Sequence, residues 1–164
     1  MDVKEFTRAD NAQKHENYRE QFNRLKRALA SEFYLEAIFI EYTIIEDRTE
    51  SILRHAGQRD AYIKKLKGRA PTLNSKTNYI KIQSDSGDKL LKKYFSDSLL
   101  YEILVWKEER NRLIHALLKQ TLTTEEVSEI AHTGERLTKE IRTRATNFSR
   151  AVERKNSTRK GSTK

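Results

Sequence analysis

Apolar residues recur along most of the chain at the three- and four-residue intervals of amphipathic helices. The first such stripe consists of Tyr18, Phe22, Leu25 and Leu29, and three longer stripes follow over residues 38–56, 99–117 and 127–152. Because this interval places every member of a stripe on one face of a helix, the pattern predicts four main helices that pack their apolar faces together. Gly134 interrupts the last stripe, which indicates close approach of a neighbouring helix.

The segments between the stripes contain residues that begin and end helices. Gly57 follows the second stripe and suits the left-handed position after a helix. The residues expected to cap helix starts are Ser75, Asp88, Ser96 or Asp97, and Thr123 paired with Glu126. We therefore predict an all-α fold, a single-domain helical bundle of about four main helices plus short connecting helices. The bundle is expected to span residues 16–154, after a loose N-terminal segment over residues 1–15.

The composition agrees with a helical protein and narrows its chemistry. Charged residues make up 35% of the chain, and there are only 5 Gly and 1 Pro. Cysteine is absent and the four histidines lack the spacing of metal ligands, so we predict no metal and no cofactor. The N-terminus does not resemble a targeting peptide, and no apolar run is long enough to cross a membrane. We therefore expect a cytoplasmic protein.

The net charge of +9 is concentrated at the C-terminus. Residues 150–164 include six basic residues and one acidic residue, so they supply five of the nine net positive charges. We predict that residues 155–164 form a disordered basic tail. Its candidate nucleic-acid-binding residues are Lys155, Arg159, Lys160 and Lys164, since cations gain affinity for polyanions by releasing counterions. A tail that only keeps the protein soluble is the alternative.

A polar motif interrupts the third apolar stripe. Arg110 occupies a stripe position, Asn111 follows it, and His115 lies one helical turn after Asn111. A charge on an apolar face is unfavourable unless it is paired or faces a cleft. Trp106 lies one turn before Arg110, either in the core or at an interface with a second copy.

This motif resembles that of the HEPN (higher eukaryotes and prokaryotes nucleotide-binding) family, in which an Arg and a polar residue precede a His on a late helix. Residues 41–48 look like the acidic helix of that family, and residues 72–80 look like its connector. The resemblance covers roughly residues 30–150. Leu117 stands where a subgroup of toxins has Tyr, so the resemblance does not extend to toxins partnered by nucleotidyltransferases.

The resemblance implies a metal-independent endoribonuclease, as a toxin or phage-defence effector with a possible antitoxin partner. His115 would transfer protons, Arg110 would bind phosphate, and Asn111 would hydrogen-bond the imidazole of His115 or the phosphate. Cleavage would leave a 2′,3′-cyclic phosphate. One His supplies one proton-transfer group, so the resemblance implies a homodimer in which two Arg-Asn-His sets share a cleft.

Two acids on the second predicted helix are candidates for a supporting role. Asp47 is the preferred candidate and Glu46 the second. Either acid would orient Arg110 or His115, as acids orient catalytic bases in general. The alternative is a solvated face of ion pairs, or an inert pair between one of these acids and Arg110. If the motif is inert, the chain is a non-catalytic helical module that binds nucleic acid or holds a dimer together.

Overall fold

Seven α-helices and no strand occupy residues 11–161, the part of the chain that the computed structural model describes, with side chains described over residues 12–158. The all-α prediction is therefore confirmed. In chain order the helices are α1 (Asn11–Ala30), α2 (Tyr34–His55), α3 (Arg59–Leu66), α4 (Leu73–Asp85), α5 (Lys89–Phe95), α6 (Leu99–Ala116) and α7 (Thr124–Gly161). All seven contribute to one cluster of buried apolar side chains.

Helix α2 is the centre of the bundle. Its buried residues include Ile38, Ile45 and Ile52 of the predicted stripe. A turn in which Glu32 takes a positive φ of 59° separates α1 from α2, and α2 then packs back along α1. Helices α6 and α7 run antiparallel, because Glu102 pairs with Arg136 while Trp106, further along α6, reaches back to the Ile130 carbonyl.

Most helix boundaries agree with the predicted caps. Gly57 has a φ of +67° directly after α2, Asp88 accepts two backbone hydrogen bonds at the start of α5, and Thr123 and Glu126 cap α7 reciprocally. The predicted cap at Ser75 is wrong, because Thr72 caps α4 and Ser75 supplies the reciprocal hydrogen bond.

The two predicted termini differ from the structure. Helix α1 begins at Asn11, so residues 11–15 are helical rather than loose, and residues 1–10 lie outside the described part. Helix α7 continues past Lys155 to Gly161, where a disordered tail was expected. Extending a formed helix fixes one residue for each hydrogen bond gained, and the hydroxyls of Ser157 and Thr158 also donate to carbonyls one turn earlier. Lys164 lies outside the described residues.

The close approach indicated by Gly134 occurs between α7, α2 and α6. A Cβ atom at this position would lie 2.0 Å from Glu41 Oε2 and 2.8 Å from Trp106 Cζ2. Both neighbouring side chains are fully buried. Only glycine therefore lets the three helices pack at this distance.

Gly134→Ala should lower the free energy of unfolding by about 1–3 kcal/mol, the usual range for overpacking a core. The loss should appear although alanine favours a helix by about 1 kcal/mol over glycine. Urea unfolding followed by circular dichroism measures it. Asn147→Ala, at an exposed position of α7, is the control and should not destabilise the fold. Equal stability of both variants would contradict the close contact.

Candidate active site

Arg110 lies over an aromatic ring on the buried side of α6. Its guanidinium carbon is 4.6 Å from the centroid of the Tyr42 ring of α2, and its Nη1 donates to Asn111 Oδ1 at 3.2 Å. Its Nε is buried and has no hydrogen-bond partner among the described residues. Arg110 is half-buried. The Tyr42 ring therefore stabilises the positive charge of Arg110, which the sequence places on an apolar stripe.

Tyr42 keeps its proton in this position. Burial raises the pKa of its phenol and the nearby Glu46 raises it further, while Arg110 and Lys107 oppose the shift. A neutral phenol holds the negative face of its ring towards Arg110, which a cation favours. Sequence periodicity assigned Tyr42 to the core stripe and gave no sign of this role.

His115 is exposed and lies away from Arg110. The two are five residues apart on one helix, which corresponds to about 140° around the axis. Asn111 is half-buried between them. Helix α6 therefore brings Arg110 and Asn111 together within one chain and directs His115 to a different face.

The predicted supporting acid Asp47 is engaged by α1. It accepts hydrogen bonds from Tyr18 at 2.6 Å and Arg48 at 2.7 Å, and forms an ion pair with Lys14 at 2.9 Å. Burial alone would raise the pKa of the Asp47 carboxyl, but these hydrogen bonds outweigh it and lower the pKa to about 2. Asp47 follows Tyr42 by five residues, so it faces α1 whereas Tyr42 faces α6.

The second acid, Glu46, pairs with the buried Lys76 of α4 at 3.3 Å. Among the described residues, neither Glu46 nor Asp47 makes a hydrogen bond or ion pair with Arg110 or His115. The structure thus brings neither acid to the motif within one chain. The inert ion pair considered for Arg110 is not formed either.

Sequence reasoning places Glu41, a third acid on α2, off the apolar stripe, as it places Asp47. Glu41 is instead completely buried beside Gly134 and Trp106, and both of its carboxyl oxygens lack a hydrogen-bond partner among the described residues. Burial, reinforced by the charge of Glu135, raises the pKa of Glu41 to about 9. Glu41 is therefore protonated at neutral pH. The sequence contains a signal for this burial, because Glu41 lies three residues after Ile38 and four before Ile45 and therefore shares their face of α2.

Exposed apolar side chains are frequent around the motif. Of ten exposed large hydrophobic residues in the described part of the chain, five lie on α6 or directly after it: Tyr101, Val105, Ile114, Leu117 and Leu118. Leu118 is 99% exposed. Trp106, by contrast, is fully buried and donates to the Ile130 carbonyl at 2.8 Å, so it belongs to the core and cannot line an interface.

Comparisons of this chain with protein-family models, curated proteins and solved structures return no match. Within residues 11–161, no group of three or more His, Asp or Glu side chains is placed to hold a metal ion. No helix in this part of the chain is long and apolar enough to span a bilayer.

The buried Glu41 predicts a pH dependence of stability. Its pKa is raised from 4.5 to about 9 in the folded protein. The folded state therefore keeps a proton that the unfolded state releases, and stability should fall as the pH rises through this window. At pH 7 the effect should be on the order of 3 kcal/mol.

Glu41→Gln removes the titrating proton and should make the variant increasingly more stable than the parent between pH 5 and pH 9 (roughly the window set by the linkage). Urea unfolding at several pH values measures the difference. Glu20→Gln, at an exposed position, should leave the pH dependence of the parent unchanged. Parallel curves for the parent and Glu41→Gln would show that Glu41 is not buried as described.

Proposed function

We propose that this chain is a HEPN-like endoribonuclease that cleaves RNA without a metal ion, at a site composed of Arg110, Asn111 and His115 from two copies. The observation that supports it most is the arrangement on α6. Arg110 stacks on Tyr42 beside Asn111, while the exposed His115 lies about 140° around the helix axis from Arg110. Within one chain, Arg110 for phosphate binding and His115 for proton transfer lie on different faces of α6. A second copy can bring Arg110 of one chain close to His115 of the other.

The chemistry needs two proton transfers and one stabilised charge. The 2′-oxygen of the RNA attacks the adjacent phosphorus as a base removes its proton, and the 5′-oxygen leaves as an acid returns a proton. The products are a 2′,3′-cyclic phosphate and a 5′-hydroxyl. An imidazole suits either proton transfer, so His115 and the partner's His115 would supply both. Arg110 would stabilise the charge on the phosphorane.

The exposed apolar residues favour a second copy as the partner at α6. Tyr101 and Val105 lie four residues apart on the outer face, and Ile114 and Leu117 lie near the C-terminal end of the helix. Exposed large apolar side chains that are frequent in one region are typical of interfaces, and five of the ten in the described residues lie on α6 or directly after it. An isologous dimer would bury this surface and place two motifs around one cleft. The proposed enzyme acts as a toxin or phage-defence effector, and an antitoxin could cover the same surface.

A second candidate function is a non-catalytic module that binds nucleic acid. It is supported by a basic groove between α1 and α7 that does not involve the motif. In this function Arg110 and His115 would have no kinetic role.

Purified protein should cleave single-stranded RNA in the presence of EDTA, and His115→Ala should reduce the rate about 10²- to 10⁴-fold. Arg110→Ala should reduce it about 10²- to 10³-fold, because a donor to the developing charge is lost. Product analysis should find a 2′,3′-cyclic phosphate. Retained circular dichroism spectra would show that both effects are kinetic.

Arg54→Ala and His55→Ala are matched controls, since both side chains are exposed at the end of α2. They should leave the cleavage rate unchanged. Activity that survives His115→Ala, or equal losses in the controls, would reject the proposed site. A parent protein that does not cleave RNA would leave the binding module as the better account.

A further inference from the structure

A groove between α1 and α7 is lined by six cationic side chains. They are Lys14, Arg19, Lys26, Arg48, Arg142 and Arg150. The groove has a volume of about 710 Å³, and none of its lining residues is acidic. A comparable groove of about 560 Å³ between α6 and α7 is lined by three acids, Glu109, Glu126 and Glu129, and by one cation, Arg112. The positive charge is therefore localised and not a uniform property of the surface.

Three of these cations are not neutralised by the protein. Among the described residues, Lys26, Arg142 and Arg150 form no ion pair with an acid. All three are exposed. Neighbouring like charges repel unless an anion lies between them, so the arrangement favours an anionic ligand.

A network of polar contacts crosses one wall of the groove. Arg48 donates through Nε to the Tyr18 hydroxyl at 2.7 Å, lies 4.1 Å over the Tyr18 ring and donates to Asp47. Lys14 binds the other oxygen of the same carboxylate. This network joins α1 to α2 and holds one wall of the groove in place.

Two aromatic rings lie beneath the cations. Arg48 covers Tyr18, and the guanidinium carbon of Arg142 is 4.4 Å from the centroid of the Phe22 ring. Nucleobases stack on aromatic rings and on guanidinium planes that are fixed in this way. A positively charged groove with stacking platforms is the combination that binds single-stranded nucleic acid.

We propose that the groove between α1 and α7 binds single-stranded RNA, with Lys26, Arg142 and Arg150 contacting phosphates and the Phe22–Arg142 stack receiving a base. The choice of RNA over DNA rests on the proposed nuclease function; the groove itself supports either. Arg142 and Arg150 lie eight residues apart on one face of α7, and Arg154 extends that row towards the C-terminus. Bound RNA would follow this row along the helix.

The test uses the full chain and a 2′-O-methylated oligouridine of about 12 nucleotides, which suits a site of this class and cannot be cleaved through its 2′-oxygen. Affinity is measured by fluorescence anisotropy at several salt concentrations. The test variant is Lys26→Gln with Arg142→Gln and Arg150→Gln. The control variant is Lys64→Gln with Lys89→Gln and Lys92→Gln, which removes the same charge from exposed positions outside the groove.

The test variant should bind at least about tenfold more weakly, and its salt slope should fall by about 2, as expected when three phosphate contacts to a single strand are lost. The control variant should keep the parent slope. A double variant, Lys26→Gln with Arg150→Gln, disturbs no stacking contact and should lose about two-thirds as much slope. Equal losses in the test and control variants would overturn the groove in favour of overall charge.

A polyglutamate arm distinguishes nucleic acid from polyanions that have no bases. Polyglutamate should not displace the oligouridine, because it has no bases to stack; displacement at equal charge concentration would overturn the proposal. The nuclease function is judged separately. If the parent protein does not cleave RNA but the test variant loses binding, the groove is supported and the nuclease is rejected. If the test variant cleaves RNA with the KM of the parent, the nuclease is supported and the groove is rejected.

Discussion

The contact between Glu41, Gly134 and Trp106 determines how α2, α7 and α6 meet. A protonated carboxyl and an indole fill the space left by the missing side chain at position 134, and Trp106 also donates to the Ile130 carbonyl. Tyr42 follows Glu41 on α2, and Arg110 follows Trp106 by one turn on α6. The stack of Arg110 on Tyr42 therefore depends on this packing.

That packing divides the motif between two environments. Arg110 is held against the bundle, where its ring contact is partly shielded from water, and His115 remains on the outer face. The two grooves beside α7 also differ in charge. The groove between α1 and α7 is basic, whereas the groove between α6 and α7 contains glutamates.

Periodicity and capping residues predicted most of the fold. The apolar stripes identified the four main helices, and Gly57, Asp88 and Thr123 marked the end of α2 and the starts of α5 and α7, because these features depend on local backbone geometry. The environments of individual acids were not predictable in the same way. Glu41 and Asp47 occupy a similar part of one helix, yet one is buried and protonated and the other is ion-paired, because different helices face them.

The motif was likewise predictable only in the part that depends on its own helix. Its spacing on α6 predicted that Asn111 would adjoin His115 and that Arg110 would lie on the apolar side. The ring that receives Arg110 belongs to α2, and no feature of α6 reveals it. Sequence spacing also cannot show whether His115 meets Arg110 from the same chain or from a second one.

The central claim is that the site is shared between two copies, and mixing parent chains with an inactive variant tests it most directly. Parent chains and His115→Ala chains are combined in equal amounts after mild unfolding and refolding, and RNA cleavage is measured. If one cleft needs His115 from both copies, only dimers of two parent chains are active, and activity falls to about a quarter of that of the same total amount of parent. Activity of about one half, as expected if each chain carries its own site, would contradict a shared site.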